Sequence, residues 1–217
     1  MSPAPSVRVR VGLAVATVLC LLIGGYGVAM AATGFDLLPD DIAANGLLRA
    51  LQVHIVASSV ALLLVPWQLW PAVRAKAPRL HRGIGRAYVV AAVLGGGSGA
   101  IAAVGTTHGP VAAGGLGVLG VVWVATTVAA FRAAMRGDFV THRRWAIRSF
   151  ALAFAAVTLR LYLPVSGLLG LSFDAAYPAI AWLCWVPNLL VTRLARPARQ
   201  QPLTREDDRV CARQGPS

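Results

Sequence analysis

Four histidines are the side chains whose type and spacing could support chemistry in this chain. His54 lies inside a long apolar run, five residues after Arg49, so a helix would place it about 7.5 Å deeper than that arginine. His108 ends a second apolar run, whereas His81 and His142 each precede one. Because ionisable groups are rare in membrane segments without a reason, this regular placement indicates a function.

The chemistry that suits this pattern is haem ligation. A low-spin haem b takes two neutral imidazoles from different helices, one on each face of the iron. The placement predicts that His54 faces His108 on one side of a membrane and that His81 faces His142 on the other. Two haems stacked in this way would carry electrons across the bilayer, so haem b is the predicted cofactor.

Arg160 is a second unusual group, because it lies 12 residues after Arg148 and thus about 18 Å further along an apolar helix. A buried arginine needs a carboxylate or an aqueous cavity. A haem propionate could serve, and so could four acidic residues. These are Asp36, Asp40, Asp41 and Asp174.

Each candidate also has a simpler interpretation. His81 and His142 are each followed by arginine and could lie among lipid headgroups. His108 could be an exposed turn residue, and His54 could donate a hydrogen bond to Ser58, one helical turn further on. Arg160 could close a structural ion pair.

The elements that must position these side chains are membrane helices. The chain has 217 residues, of which 57% are hydrophobic and 13% charged, which argues against a soluble globular enzyme. About 20 apolar residues cross a hydrocarbon core of about 30 Å. Six runs qualify, so we predict an all-α polytopic bundle within residues 1–195. The predicted spans are residues 11–32, 47–70, 87–107, 111–131, 145–166 and 175–192.

The basic residues fix the predicted orientation. Of the 20 lysines and arginines, 18 fall before the first span, after the even-numbered spans, or in the tail. The positive-inside rule therefore predicts that both termini are cytoplasmic. The net charge of +12 thus reflects topology and anionic lipid headgroups, and we expect no nucleic-acid partner.

The two ends of the chain need separate interpretations. Arg8 and Arg10 before an apolar run could mark a signal peptide, but the run is longer than a signal sequence needs, so we expect a retained span. Residues 196–217 are polar and contain prolines, which predicts a disordered cytoplasmic tail. Glycines in the third and fourth spans predict close helix packing, and Asn188 predicts a hydrogen bond between helices.

Four motifs resemble a bacterial family of predicted membrane proteins, the domain of unknown function 2306. They are residues 65–68 (VPWQ), 80–88 (LHRGIGRAY), 141–149 (THRRWAIRS) and 159–160 (LR). The resemblance covers about residues 47–188. Ala146 stands where the family often has methionine. The resemblance implies a location in the bacterial plasma membrane and singles out His54, His81, His142, Arg86 and Arg160, without supplying a reaction.

These observations leave three functional hypotheses and do not decide whether the protein is an enzyme. The first is a haem-binding electron carrier, with His54, His81, His108 and His142 as ligands and Arg86 and Arg160 as propionate contacts. The second is a transporter or channel for a small solute, with Arg160 as an anion contact. The third is a non-catalytic membrane scaffold that uses the arginine clusters. No metal site other than the haem iron is expected, since metal-ligand motifs such as HExxH are absent from the sequence.

Overall fold

The computed structural model describes residues 7–35 and 47–194, and it is helical throughout these ranges except for short turns. The helices are α1 (Val7–Ala32), α2 (Leu48–Leu69), α3 (Pro71–Lys76), α4 (Pro78–Val104), α5 (Gly109–Met135), α6 (Phe139–Ala153), α7 (Ala155–Leu168), α8 (Phe173–Leu183) and α9 (Val186–Leu194). Six segments are long and apolar enough to cross a membrane, with α6–α7 and α8–α9 each forming one of them. The predicted all-α, six-span architecture is confirmed.

Helices α4 and α6 begin well before the spans predicted from the sequence. Helix α4 starts at Pro78 rather than residue 87, and α6 starts at Phe139 rather than residue 145. Proline suits the first turn of α4, where its missing N–H has no helical partner. Asp138 caps α6 by accepting a hydrogen bond from the Thr141 backbone N–H at 3.0 Å. His81, Arg86 and His142 therefore lie within helices and not in the loops before them.

The pKa of Asp138 reflects its role as the cap of α6. The Thr141 hydroxyl and backbone N–H hold the pKa of the exposed Asp138 carboxyl below its usual value. The carboxylate stays ionised through the neutral range and complements the positive end of the helix dipole. This accounts for a helix that starts among basic residues instead of at the first apolar one.

Consecutive long helices run antiparallel, as specific contacts at one end of the bundle show. The Trp70 indole donates to the Thr17 hydroxyl at 3.1 Å, which pairs the C-terminal end of α2 with the N-terminal half of α1. The Gln68 amide donates to the His81 carbonyl at 3.0 Å, and His142 contacts the Ala130 carbonyl at 2.9 Å. We call this end, with the α2–α4 and α5–α6 connections, the arginine-rich end. The opposite end, with Leu47 and residues 105–108 and 169–172, is the arginine-poor end.

Glycines bring the central helices together, as predicted. Gly96 of α4 and Gly120 of α5 face each other so closely that a β-carbon on Gly96 would lie 3.0 Å from the Gly120 carbonyl oxygen. Gly115 similarly meets the backbone of α8 at Ala181. Small residues permit this approach where lipid supplies no hydrophobic drive for association.

The last two spans are both interrupted near their middle. Phe154 separates α6 from α7, and Cys184 and Trp185 separate α8 from α9. The second break has a local cause, because Pro187 has no N–H to donate back to Leu183. The Asn188 amide bonds to the carbonyls of Ala151 and Cys184 and to the Thr158 hydroxyl at 2.9–3.3 Å, and Thr158 also donates to the Cys184 carbonyl. The predicted interhelical role of Asn188 is confirmed.

A second polar network lies in the centre of the bundle. The Tyr88 and Ser149 hydroxyls are 2.7 Å apart, and the Trp123 indole donates to Tyr88 at 3.2 Å. The Thr127 hydroxyl forms a hydrogen bond with the same Ser149 hydroxyl, at 2.6 Å. Each of these side chains is buried, so the network satisfies polar groups that would otherwise be costly in an apolar interior.

Candidate functional site

A cavity of about 590 Å³ opens between the helices in the arginine-poor half of the bundle. Its lining extends along α2 from Leu47 to Leu62, which is roughly 22 Å of helix axis. Trp123 and Leu152 close it near the middle of the bundle, and Phe173 lies at its outer end. The volume is within the range of about 300–1,000 Å³ that is usual for ligand sites. The walls are mostly apolar, so the few polar side chains among them would select the ligand.

His54 is one of these polar side chains, and its ring is fixed by the neighbouring helix. Its Nδ1 lies 2.7 Å from the Gly95 carbonyl oxygen and 3.2 Å from the Ser58 hydroxyl. Since a carbonyl can only accept, Nδ1 carries the proton and Nε2 keeps its lone pair. The hydrogen bond between His54 and Ser58, which was the simpler interpretation of His54, is also present. Gly99 makes room for the ring, because a β-carbon there would overlap it.

Arg160 lines the same cavity and has no acidic partner within residues 7–35 and 47–194. Its guanidinium donates to the Ala156 carbonyl at 3.0 Å, one turn back on α7, and its Cζ lies 6.0 Å from the Tyr26 ring centroid. Asp174, one of the predicted partners, is engaged elsewhere. The other three, Asp36, Asp40 and Asp41, lie outside the described residues. The described part of the bundle thus presents a half-buried cation to the cavity.

The mouth of the cavity is an aromatic cluster around His108. The imidazole lies 4.7 Å from the Tyr177 ring and 5.0 Å from the Phe173 ring. Its Nδ1 is 3.4 Å from an Asp174 carboxylate oxygen, and Asp174 is 89% exposed. The structure therefore brings His108, His54 and Arg160 to one cavity, as the sequence predicted for the first two. His108 is a turn residue, as its simpler interpretation had it, but it is only partly exposed and has Asp174 as a partner.

The other predicted site residues lie at the arginine-rich end. His142 holds its Nδ1 proton against the Ala130 carbonyl at 2.9 Å, in the same manner as His54. His81 lies close enough to interact electrostatically with His142, and its buried Nδ1 has no hydrogen-bond partner in the described structure. Arg86 is exposed. None of these three residues lines the cavity.

Two parts of the site were missed by sequence reasoning. Tyr177 lines the cavity beside His108, but a tyrosine at the start of an apolar run carries no distinctive signal. Gly95 and Gly99 were read only as packing residues, although one supplies the carbonyl for His54 and the other the space for its ring. Their spacing of one helical turn is the signal that could have linked them to a common partner.

The described part of the chain forms no classical metal site. It holds no group of three or more histidine, cysteine, aspartate or glutamate side chains that could bind an ion. A haem differs in this respect, because its porphyrin supplies four of the iron ligands and the protein supplies only the axial ones. The relevant features are therefore single histidines beside a sufficiently large cavity.

Comparison with known proteins gives one match. No curated protein and no solved structure matches the chain. A family model described as a predicted membrane protein matches residues 51–195, which includes α2 to α9 and leaves out α1. The matched segment holds all four histidines and Arg160. The chain belongs to the domain of unknown function 2306 family of predicted membrane proteins.

Proposed function

We propose that this membrane protein binds haem b in the cavity of its arginine-poor half, with His54 as an axial ligand of the iron. The observation that carries the proposal is the His54 ring, whose Nδ1 proton is held by the Gly95 carbonyl while the ring lines the cavity. A ligating histidine commonly donates its second N–H to a backbone carbonyl, which fixes the tautomer and the orientation of the ring.

The other polar groups of the cavity fit the same ligand. His108 supplies a second imidazole on the same cavity, from the connection between α4 and α5. Arg160 supplies a cation for a propionate, which would compensate a charge that no described carboxylate neutralises. The apolar walls suit the porphyrin face.

The arginine-rich end supports a second haem less directly. His142 repeats the Nδ1-to-carbonyl arrangement of His54, and the buried Nδ1 of His81 lacks a partner. With haems at both ends, the protein would conduct electrons across the bacterial plasma membrane. In this role the chain's residues hold the haems and tune them, and the haem iron supplies the one-electron chemistry.

An optical spectrum tests the proposal. Protein purified in detergent from haem-replete cells should show a Soret band, and an α-band after reduction by dithionite. His54→Ala should lose haem, while Gln52→Ala, two residues away and outside the cavity lining, should retain it. The haem-to-protein ratio separates one site from two. A colourless protein that gains no spectrum with added haemin contradicts the proposal.

A second candidate is transport of a small organic anion, and the interrupted spans favour it. Local irregularities in membrane helices often adjoin a substrate site. In this chain Phe154 and Cys184 keep a helical backbone and their hydrogen bonds to Phe150 and Ile180, so neither span is unwound. Here both breaks adjoin the cavity, since Ala153, Ala155 and Cys184 belong to its lining. Arg160 would be the anion contact, and the opposing half-helices would allow the site to change its exposure.

Uptake into proteoliposomes tests this second candidate with radiolabelled benzoate, an apolar monocarboxylate. Saturable uptake should be abolished by Arg160→Gln and partly kept by Arg160→Lys, which preserves the positive charge. Uptake that is absent in the wild type, or unchanged in Arg160→Gln, contradicts this role for Arg160.

A further inference from the structure

A groove on the outer face of α4 and α5 adjoins the cavity described above, with which it shares Gly96 and Gly120 in its lining. It has a volume of about 740 Å³ and reaches from the middle of the bundle to the arginine-rich end. Its floor is made of small residues of both helices, among them Gly97, Ala100, Gly120, Ala125 and Ala129. A smooth channel of this kind on a membrane-facing surface accepts a flexible hydrocarbon chain.

The length of the floor matches one leaflet of a bilayer. From Gly120 to Ala129 is nine residues, or about 14 Å of helix, which is close to half of a hydrocarbon core of about 30 Å. Beyond this floor the groove is lined by Thr141 and Trp145, and tryptophan is typical of the membrane–water interface. The groove thus changes from apolar to polar at the depth where a lipid does.

The polar end of the groove carries positive charge. Arg132 and Arg136, one turn apart on α5, line it and are exposed. Neither forms an ion pair within the described ranges. Asp138 is the only described carboxylate at this end; it caps α6 and also interacts electrostatically with Arg136, although the two form no ion pair. Two guanidiniums without an ion pair in the described structure, at headgroup level, complement the phosphate of an anionic lipid.

We propose that this groove is a binding site for an anionic phospholipid, with one acyl chain on the glycine and alanine floor and the phosphate at Arg132 and Arg136. The charge at the polar end favours a lipid over a second copy of the chain, which would bring two arginine pairs of the same sign together. The phosphate end of the groove lies apart from the cavity, since neither Arg132 nor Arg136 lines the cavity.

Native mass spectrometry of the purified protein tests this site with phosphatidylglycerol and, as the zwitterionic reference, phosphatidylcholine. We expect a retained phosphatidylglycerol adduct that the double variant Arg132→Gln/Arg136→Gln weakens by roughly tenfold, because two cationic contacts to the phosphate are lost. Arg143→Gln/Arg144→Gln makes the same change in charge at the same end but outside the groove, and should keep the adduct.

A steric variant tests the chain-binding part without changing charge. A β-carbon on Gly97 meets no atom within 4 Å, so Gly97→Leu should fold and fill the groove, which displaces the adduct. Gly25→Leu on α1, equally unobstructed but outside the groove, should not. The proposal is overturned if both lipids bind equally, if the two arginine doubles behave alike, or if Gly97→Leu converts a dimer to a monomer without affecting lipid retention.

Discussion

Residue by residue, the candidate site depends on glycines as much as on the histidine they surround. His54 fits between α2 and α4 only because Gly99 has no side chain, and its proton is held by the carbonyl of Gly95. The sequence could predict that His54 was unusual, since an imidazole in an apolar run is rare. It could not predict that the Gly95 carbonyl is the partner of His54, because every residue type has a backbone carbonyl.

Gly99→Ala tests this arrangement. The new β-carbon would overlap the His54 ring, so the imidazole must leave the Gly95 carbonyl or the helices must separate. We expect the free energy of unfolding to fall by about 1–3 kcal/mol, as for other overpacked sites. Any haem affinity should fall by about 10–100-fold, as when an outer-shell partner of a ligating histidine is lost.

The matched control is Gly97→Ala, two residues earlier on the same helix, where a β-carbon meets open space. Thermal unfolding in detergent, followed by circular dichroism, compares the two variants. Equal stabilities would mean that the close approach of α4 to His54 is not a constraint on the fold.

Among the elements, the interrupted spans depart most from what the sequence indicated. Pro187 accounts for the break between α8 and α9, and a proline is visible in any sequence. The break at Phe154 has no proline or glycine beside it, and the Asn188 amide of the neighbouring span donates to the Ala151 carbonyl in the preceding turn. Periodicity predicts that a segment crosses the membrane, but it does not report where a tertiary hydrogen bond replaces a helical one.

Asn188→Leu should destabilise the interrupted spans. The substitution removes the donor shared by the Ala151 and Cys184 carbonyls and the Thr158 hydroxyl. Membrane hydrogen bonds are individually modest, so we expect a loss of about 1–2 kcal/mol in the free energy of unfolding, measured by titration with sodium dodecyl sulfate.

Thr192→Val is the control for this prediction, because among the described residues the Thr192 hydroxyl bonds only within its own helix, to the Leu189 carbonyl at 2.7 Å. It should change the unfolding free energy much less. A loss in Asn188→Leu no larger than in Thr192→Val would show that the amide does not hold the two breaks together.

For the whole molecule, composition and charge were sufficient to predict six spans and a bundle with one basic end. Hydropathy succeeds here because a membrane helix must satisfy its backbone internally and therefore needs a continuous apolar run. The cavity was beyond sequence reasoning, since it arises where helices fail to meet. That His54 and His108 line the same cavity agrees with their predicted position near one membrane surface, whereas their joint role as haem ligands stays a prediction.

The orientation of the bundle is a prediction that reporter fusions can check. A green fluorescent protein fused after Ser217 should fluoresce, and alkaline phosphatase at the same position should be inactive, because the positive-inside rule predicts that the arginine-rich end faces the cytoplasm. Alkaline phosphatase inserted at Gly170, in the exposed turn between α7 and α8, should be active. The reverse pattern would place the cavity mouth on the cytoplasmic side.

Helix α1 closes one side of the cavity. Ile23, Gly27 and Met30 border the cavity, yet α1 contacts mainly α2 and leaves most of its surface to the bilayer. If α1 moved away from the bundle, the cavity would have a lateral opening to the hydrocarbon core of the bilayer. A molecule dissolved in the membrane could then enter laterally and never pass the aromatic cluster that faces the water.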